Sequence, residues 1–226
     1  MMKKRRRLFT LLCFYILCFL FSLSGCSRPT YIKSSGLQVS RNIRIPHRVG
    51  VLPFEVSYQF DGIETMDVLG TQIFSKGLID IGFDVVESKH IQNNIDKLEV
   101  EYINHTALLR FEGFNREILS ESVRKKLWDT LRLEGLFVGF INYAWMKKSP
   151  GLVTRGIEGT PKFPEALETS RWFTQVGVVL IHIPSGVIIW DCIVDFHPFG
   201  KRWDDSVTYT VKNALKAFRK DIDKVK

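Results

Sequence analysis

Residues 172–196 read WFTQVGVVLIHIPSGVIIWDCIVDF. Two runs rich in Val, Ile and aromatic residues flank Pro184-Ser185-Gly186, and that triplet is turn chemistry. The stretch therefore reads as a β-hairpin. In its second arm the side-chain period of two puts Trp190, Cys192, Val194 and Phe196 on one face. Asp191 and Asp195 lie on the other, with Ile189 and Ile193.

The pattern continues on both sides of the hairpin. "LFVGFINYAW" (136–145) is a strong strand, and "HRVGVLPFEV" (47–56) is an apolar run that reads as a buried one. Between them Met66, Leu69, Ile73, Phe74, Leu78 and Ile81 recur at helical spacing over 63–81, with Gly82 placed to end the helix. "FDVVES" (83–88) is a short strand. Residues 90–118 read as a helical turn or two and a loop around Gly113. Ser120 caps a helix carrying Val123, Leu127 and Leu131 on one side and ending at Gly135. Residues 147–169 hold three prolines and three glycines and read as a long loop. Beyond the hairpin, Trp203, Val207, Val211, Ala214, Leu215, Phe218, Ile222 and Val225 form one helical stripe, its start capped by Asp204, Asp205 or Ser206. Strands and helices in this mixed order, with a late hairpin, predict an α/β sandwich. One mixed sheet carries helices on its faces.

The N-terminus has a different character. Lys3, Lys4, Arg5, Arg6 and Arg7 precede an almost wholly apolar run from Leu8 to Leu23, and Ser24, Gly25 and Cys26 follow. A basic cluster, a short apolar stretch and small residues make up the layout of a secretory signal. The apolar run is just short of the roughly 20 residues a spanning helix prefers. Leu23-Ser24-Gly25-Cys26 resembles the lipobox of bacterial lipoproteins. That resemblance implies a diacylglycerol on the Cys26 thiol, cleavage before it, and acylation of the new amino terminus. Several acyl chains on one cysteine give stable membrane attachment. Position 27 is Ser rather than the Asp of inner-membrane retention. The resemblance thus implies an outer-membrane lipoprotein facing the periplasm. The expected organisation is a signal peptide over 1–25, a flexible tether over 26–46 and one folded domain over 47–226.

Removing the leader changes the charge. Five of the 32 Lys and Arg lie in it, so the rest of the chain carries 27 cations against 24 Asp and Glu, a net of +3. No dense basic stripe suited to nucleic acid remains on this count. Cys13 and Cys18 leave with the leader and Cys26 is acylated, so Cys192 has no disulfide partner. Among Ile189, Trp190, Ile193 and Val194 it reads as a buried, inert thiol.

Chemistry-bearing motifs are scarce. His47, His90, His105, His182 and His197 are dispersed, without H-E-x-x-H or C-x-x-C, so spacing supports no metal site. "GLVTRGIEGT" lacks the ending of a P-loop, and G-x-S-x-G does not occur. Asp195, His197, Asp204 and Asp205 form the tightest polar cluster, which reads as a solvated strand face followed by a helix start. His182 reads as a satisfied core residue. Trp145, Phe163, Trp172 and Phe173 flank the long loop as core lids or a partner surface. No catalytic residue, cofactor or small-molecule substrate is expected.

Four segments carry a further likeness. "VGVLPF" (49–54), "LGTQIFSKGLIDIGFDVVES" (69–88), "LRLEGLFVGFINYA" (131–144) and "VGVVLIHIPSGVIIWD" (176–191) are similar, in order and spacing, to the curli-production assembly/transport family. Its core is shared with the Tol-Pal translocation protein N-terminal domain and with lipoprotein activators of penicillin-binding proteins. The resemblance implies an anticodon-binding-like α/β domain that works through assembly or protein contacts, with no enzymatic residues. It leaves two readings. One is a lipid-anchored module that contacts another envelope protein or self-assembles. The other is a subunit of an oligomeric outer-membrane secretion channel of the curli-export type. A membrane strand needs about 9–11 residues of apolar and polar alternation. The charged stretch 90–118 and the proline-broken stretch 147–170 do not supply it.

Overall fold

The computed structural model of the chain describes residues 30–40, 43–58, 65–111, 118–146, 171–196 and 202–225. The strands are β1 (Tyr31–Ser34), β2 (Arg48–Val51), β3 (Glu55–Tyr58), β4 (Asp84–Val86), β5 (Gly135–Met146), β6 (Arg171–His182) and β7 (Val187–Phe196). The helices are α1 (Met66–Asp80), α2 (Ser88–Gln92), α3 (Lys97–Phe111), α4 (Glu121–Leu131) and α5 (Trp203–Asp223). The strands make one mixed sheet in the order β1-β7-β6-β5-β2-β4, with β3 also paired to β5. The domain is α/β, as the order of elements predicts.

The quoted hairpin is the spine of that sheet. β6 and β7 are antiparallel, and Gly186 turns the chain at φ +71°, a conformation open to glycine at little cost. β5 runs antiparallel to β6 from Gly135↔His182 to Met146↔Arg171. β2, β3 and β4 add in parallel on the far side. The apolar run 47–56 is two strands rather than one. Pro53 has no N–H to give a ladder, so pairing stops at Val51 and resumes at Glu55, both pieces lying along β5.

Alternation along the strands feeds two apolar layers. Phe137, Ile141, Val176, Val178, Leu180, Trp190, Cys192 and Val194 meet Met66, Phe74 and Leu78 of α1 and Val207, Val211, Ala214, Phe218 and Ile222 of α5. Leu136, Val138, Val179 and Ile181 face the opposite way, against Ile91 of α2, Val100, Ile103 and Ala107 of α3, and Val123 and Leu127 of α4. The face assigned to Ile189 differs from the simple alternation. The register slips between Leu180 and Ile181, so Ile189 and Trp190 both pack into the first layer.

Helix ends follow local chemistry in part. The Ser120 side chain accepts from the Val123 N–H at 3.4 Å and caps α4 as expected. That helix ends earlier than expected, at Leu131. Arg132 takes the left-handed conformation at φ 53°, and Gly135 starts β5 instead. Gly82, at φ +97°, closes α1 as predicted. α5 begins at Trp203 after Arg202, without a side-chain cap, and Asp204 and Asp205 occupy its first turn. There their charge favours the positive end of the helix dipole.

Two expectations are corrected. Residues 90–111 hold the end of α2 and all of α3, packed on the sheet, more helix than the expected turn or two, while Gly113 and the loop expected around it lie outside the described residues. The described part of this stretch is helix over Lys97–Phe111 and not a β-hairpin insertion. The span 26–46, expected as a flexible tether, contains β1, and Leu37 within it is buried. β1 joins because β7 would otherwise present an open edge. The other stretch considered as an insertion, 147–170, lies outside the described residues. No described helix is long and apolar enough to cross a membrane.

Candidate functional site

β1 is where the chain that follows Cys26 meets the domain. Cys26 itself lies outside the described residues. β1 pairs antiparallel with β7, from Tyr31↔Asp195 to Ser34↔Cys192. The pairing continues past its end, where the Ser35 N–H donates to the Asp191 carbonyl at 3.0 Å and the Gln38 N–H to the Ile189 carbonyl at 2.8 Å. Its start is tied to α5 through Thr30 Oγ1 and the Tyr209 hydroxyl, 3.1 Å apart.

A buried carboxylate fastens the other end. Asp221 of α5 is only 4 % exposed. Its Oδ2 accepts from Ser34 Oγ on β1 at 2.5 Å and from Trp190 Nε1 on β7 at 3.1 Å. Its Oδ1 accepts from Lys224 Nζ at 2.6 Å. Burial alone pushes the Asp221 pKa up. The bonds from Lys224, Ser34 and Trp190, with the charge of Lys224, outweigh it and hold the carboxyl below its ordinary value. One side chain thus joins the entering strand, the sheet and the last helix.

Clefts run along α5. One, of about 720 Å³, lies between the Ile32–Gly36 segment and the helix, and is lined by Asn213, Lys216, Lys220 and Lys224 among others. The second, of about 700 Å³, lies between α1 and α5 and includes Lys76, Lys212, Lys216 and Arg219. The two helices approach closely at Gly77, where a Cβ would stand 2.3 Å from Leu215 Cδ1.

The remaining residues singled out from the sequence are used structurally or stand apart. Asp195 is half-buried and accepts from Gln175 Nε2 at 2.8 Å. Asp204 bonds to Arg202 Nε at 3.2 Å and to the Asp205 N–H at 3.0 Å. His197, between them in sequence, lies outside the described residues. So do Phe163 and the side chains of Trp145, Trp172 and Phe173. His47, His90 and His105 are exposed. His182 is buried beside the turn, with Nδ1 2.7 Å from Ser185 Oγ. Desolvation lowers its pKa, against an opposing pull from Glu134. Among the described residues no group of three His, Cys, Asp or Glu is placed to hold a metal ion. Sequence reasoning missed Asp221. Its one local signal is a lysine three residues later, which is commonplace on a helix.

Cys192 is fully buried, and its thiol is pushed up to about 12 by desolvation and then by the charges of Asp221 and Asp191. The thiolate is the reactive form. The native protein is expected to resist alkylation at Cys192 at pH 8 and to react there once unfolded in urea. Peptide mass spectrometry reads the difference, and rapid labelling of the folded chain would contradict the burial.

No protein-family model and no curated protein sequence matches this chain. Solved structures resemble it distantly. They include the PelC dodecamer from Paraburkholderia phytofirmans, at 10% identity and TM-score 0.44, over 83% of this chain and 96% of that one. Lipoprotein GNA1162 from Neisseria meningitidis is similar at 10% identity and TM-score 0.38, over 77% and 99%. The LpoB C-terminal domain from Salmonella enterica is similar at 9% identity and TM-score 0.36, over 70% and 88%. Likenesses this distant carry no argument. The fold class rests on the chain's own sheet and helices.

Proposed function

We propose that the chain is an exported lipoprotein, acylated at Cys26 and anchored in the outer membrane on its periplasmic side. Its domain works without catalysis, by contact with another envelope protein or with further copies of itself. The observation that carries this reading is the fastening of β1. Only Ser27, Arg28, Pro29 and Thr30 separate Cys26 from a strand that is hydrogen-bonded to β7 and locked by Asp221. A lipid on Cys26 therefore holds the domain close to the bilayer, because the five peptide steps from Cys26 to Tyr31 span at most about 18 Å. The buried polar groups support a non-catalytic role. Asp221 is tied to three partners, His182 is bonded to Ser185, and the Cys192 thiol is deeply buried and protonated.

The test is Cys26→Ala. The variant is expected to lose palmitate labelling completely and to accumulate as unprocessed precursor. Unchanged labelling in that variant would refute the anchor. Light scattering of the lipidated protein in mild detergent then separates the two contact modes. A mass of one or two copies points to a separate envelope partner, and a large symmetric mass points to self-assembly.

A further inference from the structure

The exposed side of α5 carries Lys212, Lys216 and Lys220 at four-residue steps, with Arg219 alongside. At 3.6 residues per turn these steps keep the lysines in one row. Lys224 continues the row but is tied to Asp221. Among the described residues the other four cations enter no ion pair. Lys76 of α1 borders the same surface across the second cleft. Among the described residues the facing carboxylates are Asp80, on the wall of that cleft, and Asp223, exposed near the end of α5, while Asp204, two steps before Lys212 in the same row, pairs with Arg202 and Asp221 with Lys224.

The position of the row points to what it meets. The entering chain touches α5 at Tyr209, one turn before Lys212. The cleft beside β1 exposes Ile32 and is walled by Lys216 and Lys220. Cys26 lies four residues before Thr30, so any bilayer anchored there is within about 14 Å of this end of the helix. The screening length at physiological ionic strength is about 8 Å, so headgroup phosphates act on the row where α5 lies against the leaflet, and the short link from Cys26 keeps that contact within reach.

We propose that Lys212, Lys216, Arg219 and Lys220 form a docking surface for anionic phospholipid, laying α5 against the leaflet that holds the Cys26 lipid. This rests on the lipid-anchor reading for its geometry. Each basic side chain at an anionic surface is worth about a fivefold gain in binding. Three or four together give a hundredfold or more when all reach the surface.

The experiment uses the full lipidated protein in vesicles of pure phosphatidylcholine and in vesicles with one third phosphatidylglycerol. Amine acylation followed by mass spectrometry reads each lysine. Lys212, Lys216 and Lys220 are expected to react at least tenfold more slowly in the anionic vesicles, and high salt should restore their reactivity. Lys125 and Lys126 of α4, on the opposite helix layer, should not change. Equal reactivity of the row in both vesicles overturns the proposal. Protection by soluble dextran sulfate but not by anionic vesicles also overturns it, and assigns the row to an anionic polymer. Intact mass of the same sample reports acylation at Cys26 separately. If the acyl mass is absent, the anchor reading fails. Flotation of that protein with the anionic but not the neutral vesicles still supports the row, and flotation with neither overturns it.

Discussion

Phe218→Ala is expected to lower the unfolding free energy by about 3–5 kcal/mol, the range for emptying a buried aromatic site. Phe218 is fully buried, and its ring is the hub of an aromatic cluster. Ring centroids lie 4.8 Å away at Trp190, 5.2 Å at Phe137 and 5.6 Å at Phe83. Phe137 in turn meets Phe74 at 5.1 Å, edge to face. Because these rings come from β4's approach, β5, β7 and two helices, the site cannot collapse by moving one element, and a cavity stays. Natural domains have about 5–15 kcal/mol in total, so the variant sits near the limit of folding. Urea unfolding followed by tryptophan fluorescence measures it. A midpoint close to wild type would show that the cluster repacks, and Phe218→Leu should fall between the two.

Asp221→Ala is expected to cost about 3 kcal/mol near neutral pH. Hydrogen bonds to a charged group contribute about 1.5–3 kcal/mol each, and the substitution leaves the buried Trp190 N–H without its acceptor. The loss should be local before it is global. Amide exchange over Tyr31–Ser34 should quicken most, since Ser34 loses its tie to α5. The pH dependence has a definite sign. The Asp221 pKa is lowered on folding, so its contribution is complete above the ordinary carboxylate value of 3.8. It fades as pH falls below that value and through the folded pKa. The stability gap between wild type and Asp221→Ala should therefore be constant from pH 5 to 7 and shrink below pH 4. A gap that grows on acidification would mean that the carboxylate is not the stabilising species.

These two residues show how much was legible. Phe218 belongs to a stripe visible by eye, because a helix on one side of a sheet writes its buried face as a period near 3.6. Asp221 sits three residues further on, looks like any surface acid next to lysines, and is buried by strands that arrive from elsewhere. α3 was blurred for a related reason. Val100, Ile103 and Ala107 are buried at helical spacing, but Leu98 is 78% exposed and Tyr102 is 55% exposed, so apolar residues fall on both sides.

The sequence by itself determined the hairpin about Pro184-Ser185-Gly186, the alternation that fills two layers, and the last helix. These are local signals, written by periods of two and 3.6 and by residue types that a turn requires. Tertiary structure alone decided that Tyr31-Ile32-Lys33-Ser34, mixed in polarity and half exposed, is a strand. It also lined up four cations of α5 beside the point where the chain enters. Each of these depends on which backbone or side chain stands opposite. An edge strand is made by its neighbour's unpaired N–H and C=O groups, and a buried carboxylate by donors that are 187 and 31 residues away in the chain.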